Sequence, residues 1–223
     1  MYHKIYHTNH NIKYRTTDVL AYDYMKLNFD RKSDNEYHQY CIHCHKETIK
    51  PVQQDYKTLY ECGNCHDTYD RSIVIDPAIK WWVDETDEYW HESAGMFIKD
   101  SLGRFLFFER TIFPFALTVP SGHVDVGEDA LHAASREVFE EIGIKPNAVQ
   151  KIATEKILDD SCRRGADAHL WHAFSGNIDS ENDIKLNHEG LYPQWLTIDE
   201  ALSRDIISPV RYILKHHREK FQI

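Results

Sequence analysis

The chain has 223 residues, 42% of them hydrophobic and 13% aromatic, with a formal net charge of -10. That length suits one mid-sized domain plus a small module, and the composition suits a real apolar core. The surplus of acid speaks against a general nucleic-acid binder, which needs broad basic surface, and agrees with a site whose carboxylates hold divalent cations. The longest apolar runs, Phe105 to Phe108 and Ile112 to Val119, are too short to cross a bilayer. Met1-Tyr2-His3-Lys4-Ile5 leads into polar sequence with no visible signal peptide, so a cytoplasmic chain with reduced thiols is expected.

Residues 1–38 are rich in Tyr, His and Asn, and no function is read there beyond one short helix over Thr17 to Phe29, capped by Thr17 or Asp18. Residues 39–75 carry two cysteine pairs. Cys41-x2-Cys44 and Cys62-x2-Cys65 are 17 residues apart, the spacing of a four-cysteine zinc site. Each pair grips tetrahedral Zn²⁺ from a tight knuckle, and four thiolates close the site against catalysis. Two disulfides are the competing reading, disfavoured in a reducing compartment. His43, His45 and His66 lie beside the knuckles as substitute ligands. Lys46, Lys50, Lys57 and Arg71 are offset by Glu47, Asp55, Glu61, Asp67 and Asp70. That balance points away from a phosphate grip and toward a structural clamp or a homodimer contact.

Residues 88–223 have the pattern of a mixed α/β domain. Strands are expected at His91 to Lys99 and Arg104 to Arg110 around a turn at Asp100-Ser101-Leu102-Gly103, then at Leu117 to Val119. A turn follows from Gly122 to Gly127. Asp129 to Ile142 reads as a helix whose apolar face is Leu131, Ala134, Val138 and Ile142, with Gly143 as its C-terminal cap. Further strands are expected at Val149 to Leu158 and Ala168 to Phe174. Ser208-Pro209 opens a closing helix, serine at the cap and proline at the first position. The fold class is α/β, a mixed sheet sandwiched between helices.

The sharpest signal runs from Gly122 through Glu128 to Arg136-Glu137-Val138-Phe139-Glu140-Glu141-Ile142-Gly143-Ile144. Glu137, Glu140 and Glu141 stand at i, i+3 and i+4, so their mutual repulsion weakens the helix unless a cation gathers them. Arg136 and Glu128 are placed to lock those ligands. Seven specified positions at roughly 7% background each coincide about once in a hundred million starting points.

This pattern resembles the box of the Nudix family, Gly-x5-Glu-x7-Arg-Glu-U-x-Glu-Glu-x-Gly-U with U apolar, and the wider likeness spans about Glu92 to Leu214. The resemblance implies a Nudix fold and hydrolysis of a nucleoside diphosphate linked to another moiety: a dinucleotide, a nucleotide sugar or a nucleoside triphosphate. By carry-over, Glu137, Glu140, Glu141 and the Gly122 carbonyl bind Mg²⁺ or Mn²⁺, with Glu128 and Arg136 orienting them. Glu189 in His188-Glu189-Gly190 is the candidate general base, with Asp159 and Asp160 as rivals. Arg110 is the candidate for substrate phosphates. Trp81, Trp82, Phe113 and Phe115 are either stacking platforms or core, with core favoured for the tryptophans. Cys162, beside Arg163 and Arg164, reads as a loop thiol.

A zinc ribbon ahead of a Nudix domain is similar to the NADH pyrophosphatase arrangement. That subfamily's Ser-Gln-Pro-Trp-Pro-Phe-Pro signature is absent, since Lys145 to Lys151 stands in its place. One alternative is an RNA cap or 5′-end hydrolase guided by Arg211, Lys215, Arg218 and Lys220. A second is a non-catalytic nucleotide sensor, and a remote third an isoprenyl diphosphate isomerase. The intact box and the charge balance favour the small-nucleotide hydrolase.

Overall fold

The computed structural model describes residues 25–178 and 184–221. The helix expected over Thr17 to Phe29 falls, through residue 24, outside them. Met25 to Phe29 is not helical, because Lys26 bridges Glu88 in antiparallel fashion.

The N-terminal part is built from short strands: β1 (His38–Cys41), β2 (Ile49–Gln54), β3 (Lys57–Cys62), β4 (Asp67–Tyr69) and β5 (Ser72–Ile75). β2, β3 and β4 form one antiparallel sheet, while β1 pairs with β5. The knuckle residues His45 and His66 both adopt positive φ, which lets each chain turn fold back over its cysteines.

The remainder is a sheet ordered β11-β12-β7-β8-β13, from β7 (Tyr89–Lys99), β8 (Phe105–Arg110), β11 (Asn147–Leu158), β12 (Ala168–Asn177) and β13 (Gly190–Leu196). Only β12 and β7 run parallel; β6 (Trp81–Val83) and β10 (Ser121–His123) extend β7, and β9 (Leu117–Thr118) pairs with β8. Period-2 alternation sorts the side chains into two layers. Phe97, Phe105 and Phe107 point to one face, under α2 (Ile198–Leu202) and α3 (Ser208–His216) with Val210, Ile213 and Leu214. Met96, Ile98, Leu106 and Phe108 point to the other, under α1 (Ala130–Ile142) with Ala133, Ala134, Val138 and Ile142. The expected sandwich is present.

Three details depart from expectation. Leu131 is 45% exposed, and Ala133 takes its place on the buried face of α1. The expected turn from Gly122 is shorter, since Gly122 and His123 belong to β10 and pair with Ala94 and Ser93. Only the stretch beyond them turns, with Gly127 at φ 86°. Ile207, not Ser208, is the N-cap of α3, so Pro209 sits one position further in than expected. Asp129 caps α1 by accepting from the His132 N–H, and Gly143 ends it in the left-handed region at φ 76°.

Candidate active site

The carboxylate helix α1 lies against β10 and β7, and the close approach is made possible by one missing side chain. A Cβ on Gly122 would sit on the Glu137 carboxylate. Arg136 is the hub of the acids around it. Its Nε and Nη2 donate to both Glu128 oxygens at 3.1 and 3.0 Å, its Nη1 donates to Glu137 Oε1 at 2.7 Å, and Nη2 also reaches the His123 carbonyl at 3.0 Å. The Asp125 N–H donates to Glu128 at 3.3 Å, which ties the turn to the same arginine. Against its own burial, Arg136 holds Glu128 below the usual carboxylate range.

The three box glutamates face one pocket but differ in exposure. Glu141 is buried and accepts from the Ser121 N–H at 2.9 Å. Burial pushes Glu137 up to about 7 and raises Glu141 well above the ordinary range, with Glu140 and Glu189 adding to the first shift and Glu137 and Glu189 to the second. The Glu140 side chain is 54% exposed, held only by Arg136 at 3.4 Å. Crowded, desolvated carboxylates of this kind gain from a divalent cation. The acids, with Gly122, line a cavity of about 330 Å³ that Arg110, Arg163 and Arg164 line as well. Glu189 completes the ring, its carboxylate 3.7 Å from Arg163.

The sequence-derived candidates thus converge: Gly122, Arg136, Glu137, Glu140, Glu141, Glu189 and Arg110 share one pocket, with Glu128 just behind it. Asp159 and Asp160 do not line it. Asp160 instead stands 3.1 Å from His169. Trp81 packs edge-on against Tyr89 and Trp82 stacks on Trp90, so both tryptophans serve packing. Arg71 lies over Phe113 and Lys57 over Phe115, which ties that pair to the N-terminal strands.

Arg163 and Arg164 were visible in the sequence only as neighbours of a cysteine. Their backbone carbonyls accept from the Ser72 and Val74 N–H groups of β5 at 3.0 Å each, which fixes the loop from behind. Arg164 also pairs with Asp76 at 2.6 Å, and Arg71 with Asp167 at 2.6 Å. Cys162 is not a plain loop thiol: it sits among His91, His123 and His169.

The four cysteines of the knuckles also converge. Cys41 Sγ is 3.8 Å from Cys65 Sγ, and Cys44 Sγ is 3.7 Å from Cys62 Sγ. All are free thiols, which excludes the two-disulfide reading here. His43, His45 and His66 are not among the converging ligands; His45 stacks on Phe29 and His43 on Tyr69.

Residues 90–216 match the NUDIX domain. The chain belongs to the NUDIX family. With its box intact it is a Nudix pyrophosphohydrolase. It is 29% identical over 116 residues to the bis(5'-nucleosyl)-tetraphosphatase (asymmetrical) of Caenorhabditis elegans, covering 50% of this chain and 82% of that protein. Its fold is similar to that of the MutT protein from Methanosarcina mazei Go1, with a TM-score of 0.51 at 18% identity over 61% of this chain and 99% of the other. It is also similar to the NUDIX domain of Shewanella oneidensis NrtR, solved with ADP ribose, with a TM-score of 0.52 at 11% identity over 63% and 94% of the two chains. Among the described residues, no helix is long and apolar enough to cross a membrane.

Proposed function

We propose that this chain hydrolyses the pyrophosphate linkage of a nucleoside diphosphate joined to another moiety, and that dinucleoside polyphosphates head the substrate classes. The observation that carries this reading is one pocket lined both by Glu137, Glu140, Glu141 and Glu189 and by Arg110, Arg163 and Arg164. Clustered carboxylates suit cations and guanidinium groups suit phosphate oxygens, so a cation-bound diphosphate suits this lining. The similarity to the C. elegans tetraphosphatase supports taking two nucleosides joined by phosphates as the first candidates.

Mg²⁺ or Mn²⁺ would be held by Glu137, Glu140, Glu141 and the Gly122 carbonyl. When bound, such an ion lowers the pKa of water and neutralises phosphate charge. The chain's own residues do the rest. Arg110, Arg163 and Arg164 hold the phosphates. Glu189, opposed by Arg163, takes the proton from the attacking water. Arg136, braced by Glu128, keeps Glu137 turned to the pocket. In the knuckles, thiolates bound at about 2.3 Å around a tetrahedral Zn²⁺ stand about 3.8 Å apart, which suits the sulfur spacings there. That zinc is structural.

The test is a panel of dinucleoside polyphosphates, nucleotide sugars, nucleoside triphosphates and capped RNA with Mg²⁺ or Mn²⁺, run on wild type and Glu140→Gln. Glu140 is exposed and weakly held, so its amide leaves the fold intact while turnover falls about 10²- to 10³-fold. Wild-type rates in Glu140→Gln overturn the metal role. Activity confined to capped RNA overturns the substrate class.

A further inference from the structure

Three strands bring three imidazoles to one face of the sheet. His91 of β7 and His169 of β12 are directly abreast in the parallel register. His123 of β10 is abreast of Ser93, two residues along β7 from His91 and therefore on the same face. Cys162, from the loop that precedes β12, closes over them. One ligand atom from each of the four side chains lies within 4.8 Å of all the others. His91 Nδ1 is 3.0 Å from His123 Nε2 and 3.6 Å from Cys162 Sγ. His91 and His169 are buried, and a cavity of about 60 Å³ borders Cys162, His123 and His169.

We infer that these four side chains form a second zinc site, closed by four protein ligands and distinct from the knuckles, with His123 and Cys162 also bordering the carboxylate pocket. Protons alone account poorly for the arrangement. His91 Nδ1 faces both a ring nitrogen and a sulfur, and one proton on that atom serves only one of them. A single ion satisfies both at once. With zinc–nitrogen bonds of about 2.0–2.1 Å and zinc–sulfur of about 2.3 Å, tetrahedral edges come to about 3.3 Å between nitrogens and about 3.6 Å between nitrogen and sulfur. The two observed separations lie within a few tenths of an ångström of these. One thiolate with three imidazoles is a donor set that zinc accepts, and hard Mg²⁺ does not. Asp160 Oδ2 lies 3.1 Å from His169 Nδ1, near that ring nitrogen though not aligned as a hydrogen bond to it.

The site would brace the pocket without joining its chemistry, since a fourth protein ligand leaves no open position. His123 follows Gly122 and Cys162 precedes Arg163, so one ion pins the strand under the glutamates to the loop that carries the arginines.

Elemental analysis of full-length protein purified without added metal tests this, together with X-ray absorption at the zinc edge. We expect about two zinc ions per chain and a mean coordination shell containing imidazole nitrogen as well as sulfur. Cys162→Ser and His169→Gln should each lower the content to about one and leave a sulfur-only shell. Cys44→Ser should lower it to about one and leave the nitrogen-rich shell. One zinc in wild type with a sulfur-only shell overturns the proposal, and so does a content of two that both Cys162→Ser and His169→Gln retain. If Cys162→Ser does not fold, the wild-type count and shell and the His169→Gln count still decide. None of these readouts depends on hydrolytic activity.

Discussion

The two halves of the molecule are held together by different physics. The sheet of the NUDIX domain buries an apolar layer on each face, from Phe97 and Leu214 on one side to Met96 and Val138 on the other. The knuckle half has only a small apolar cluster around Tyr40, Ile73 and Ile75, and that cluster is completed by Tyr89 and Ala166 from the other half. A strand pair and a three-stranded sheet of strands this short bury little apolar surface of their own. The lesson is that four sulfurs converge where the apolar cluster is small, while on the other side a two-layer core carries the carboxylates of the pocket.

Loss of the zinc proposed for the knuckles should break this contrast most sharply. Structural zinc supplies on the order of 10 kcal/mol of folding free energy to a small module. Cys62→Ser should release the amides of β2, β3 and β4 to rapid hydrogen exchange while those of β7, β8 and α1 stay protected. Equal loss in both halves would show that they are not distinct in this respect. Phe97→Ala should do the reverse, costing about 3–5 kcal/mol in chemical denaturation while the four-cysteine cluster still binds metal. Gly122→Ala separates chemistry from both kinds of stability. Its methyl displaces Glu137, so turnover should fall about 10²-fold with little change in melting temperature. Smaller still is the link between the halves, where Tyr89 Oη donates to the Val74 carbonyl at 2.5 Å. Tyr89→Phe should cost about 1 kcal/mol in the same denaturation assay.

The smallest effect is a pH dependence in the knuckle half. His38 lies 2.7 Å from Asp34 and 2.5 Å from Glu47, and those hydrogen bonds raise its pKa above 6.5. A raised histidine stabilises the fold below the unfolded value, and that stability is lost as pH rises through the folded one. The melting temperature should therefore fall slightly as pH rises from about 6.5, and His38→Gln should flatten the slope. An unchanged slope in that variant would remove the ion pairs from the account.

What was legible in the sequence was what local geometry fixes. The glutamates of α1 are related by helical repeat and the cysteine pairs by tight turns, so spacing alone placed them. The histidine cluster was not legible, because it depends on the register of β12 against β7 and of β10 against β7. The available signals were faint: 15 histidines in the chain and an odd fifth cysteine. β10 was missed because three residues squeezed between Pro120 and the turn carry no alternation to detect. Leu131 was misplaced because a hydrophobic residue at a plausible helical spacing outweighed the smaller Ala133, and only close packing on the sheet prefers the alanine.

The loop of Arg163 and Arg164 leans on β5 through two backbone hydrogen bonds, and a Cβ on Gly165 would meet the Ser72 carbonyl at 2.8 Å. Strand β5 lies outside residues 90–216, the stretch recognisable as NUDIX. Cutting the chain at that border would strip two arginine carbonyls of their donors, remove Tyr89 and expose Ala166 to water. The smallest working unit is thus larger than the recognisable one, and an expression fragment should begin upstream of the knuckles.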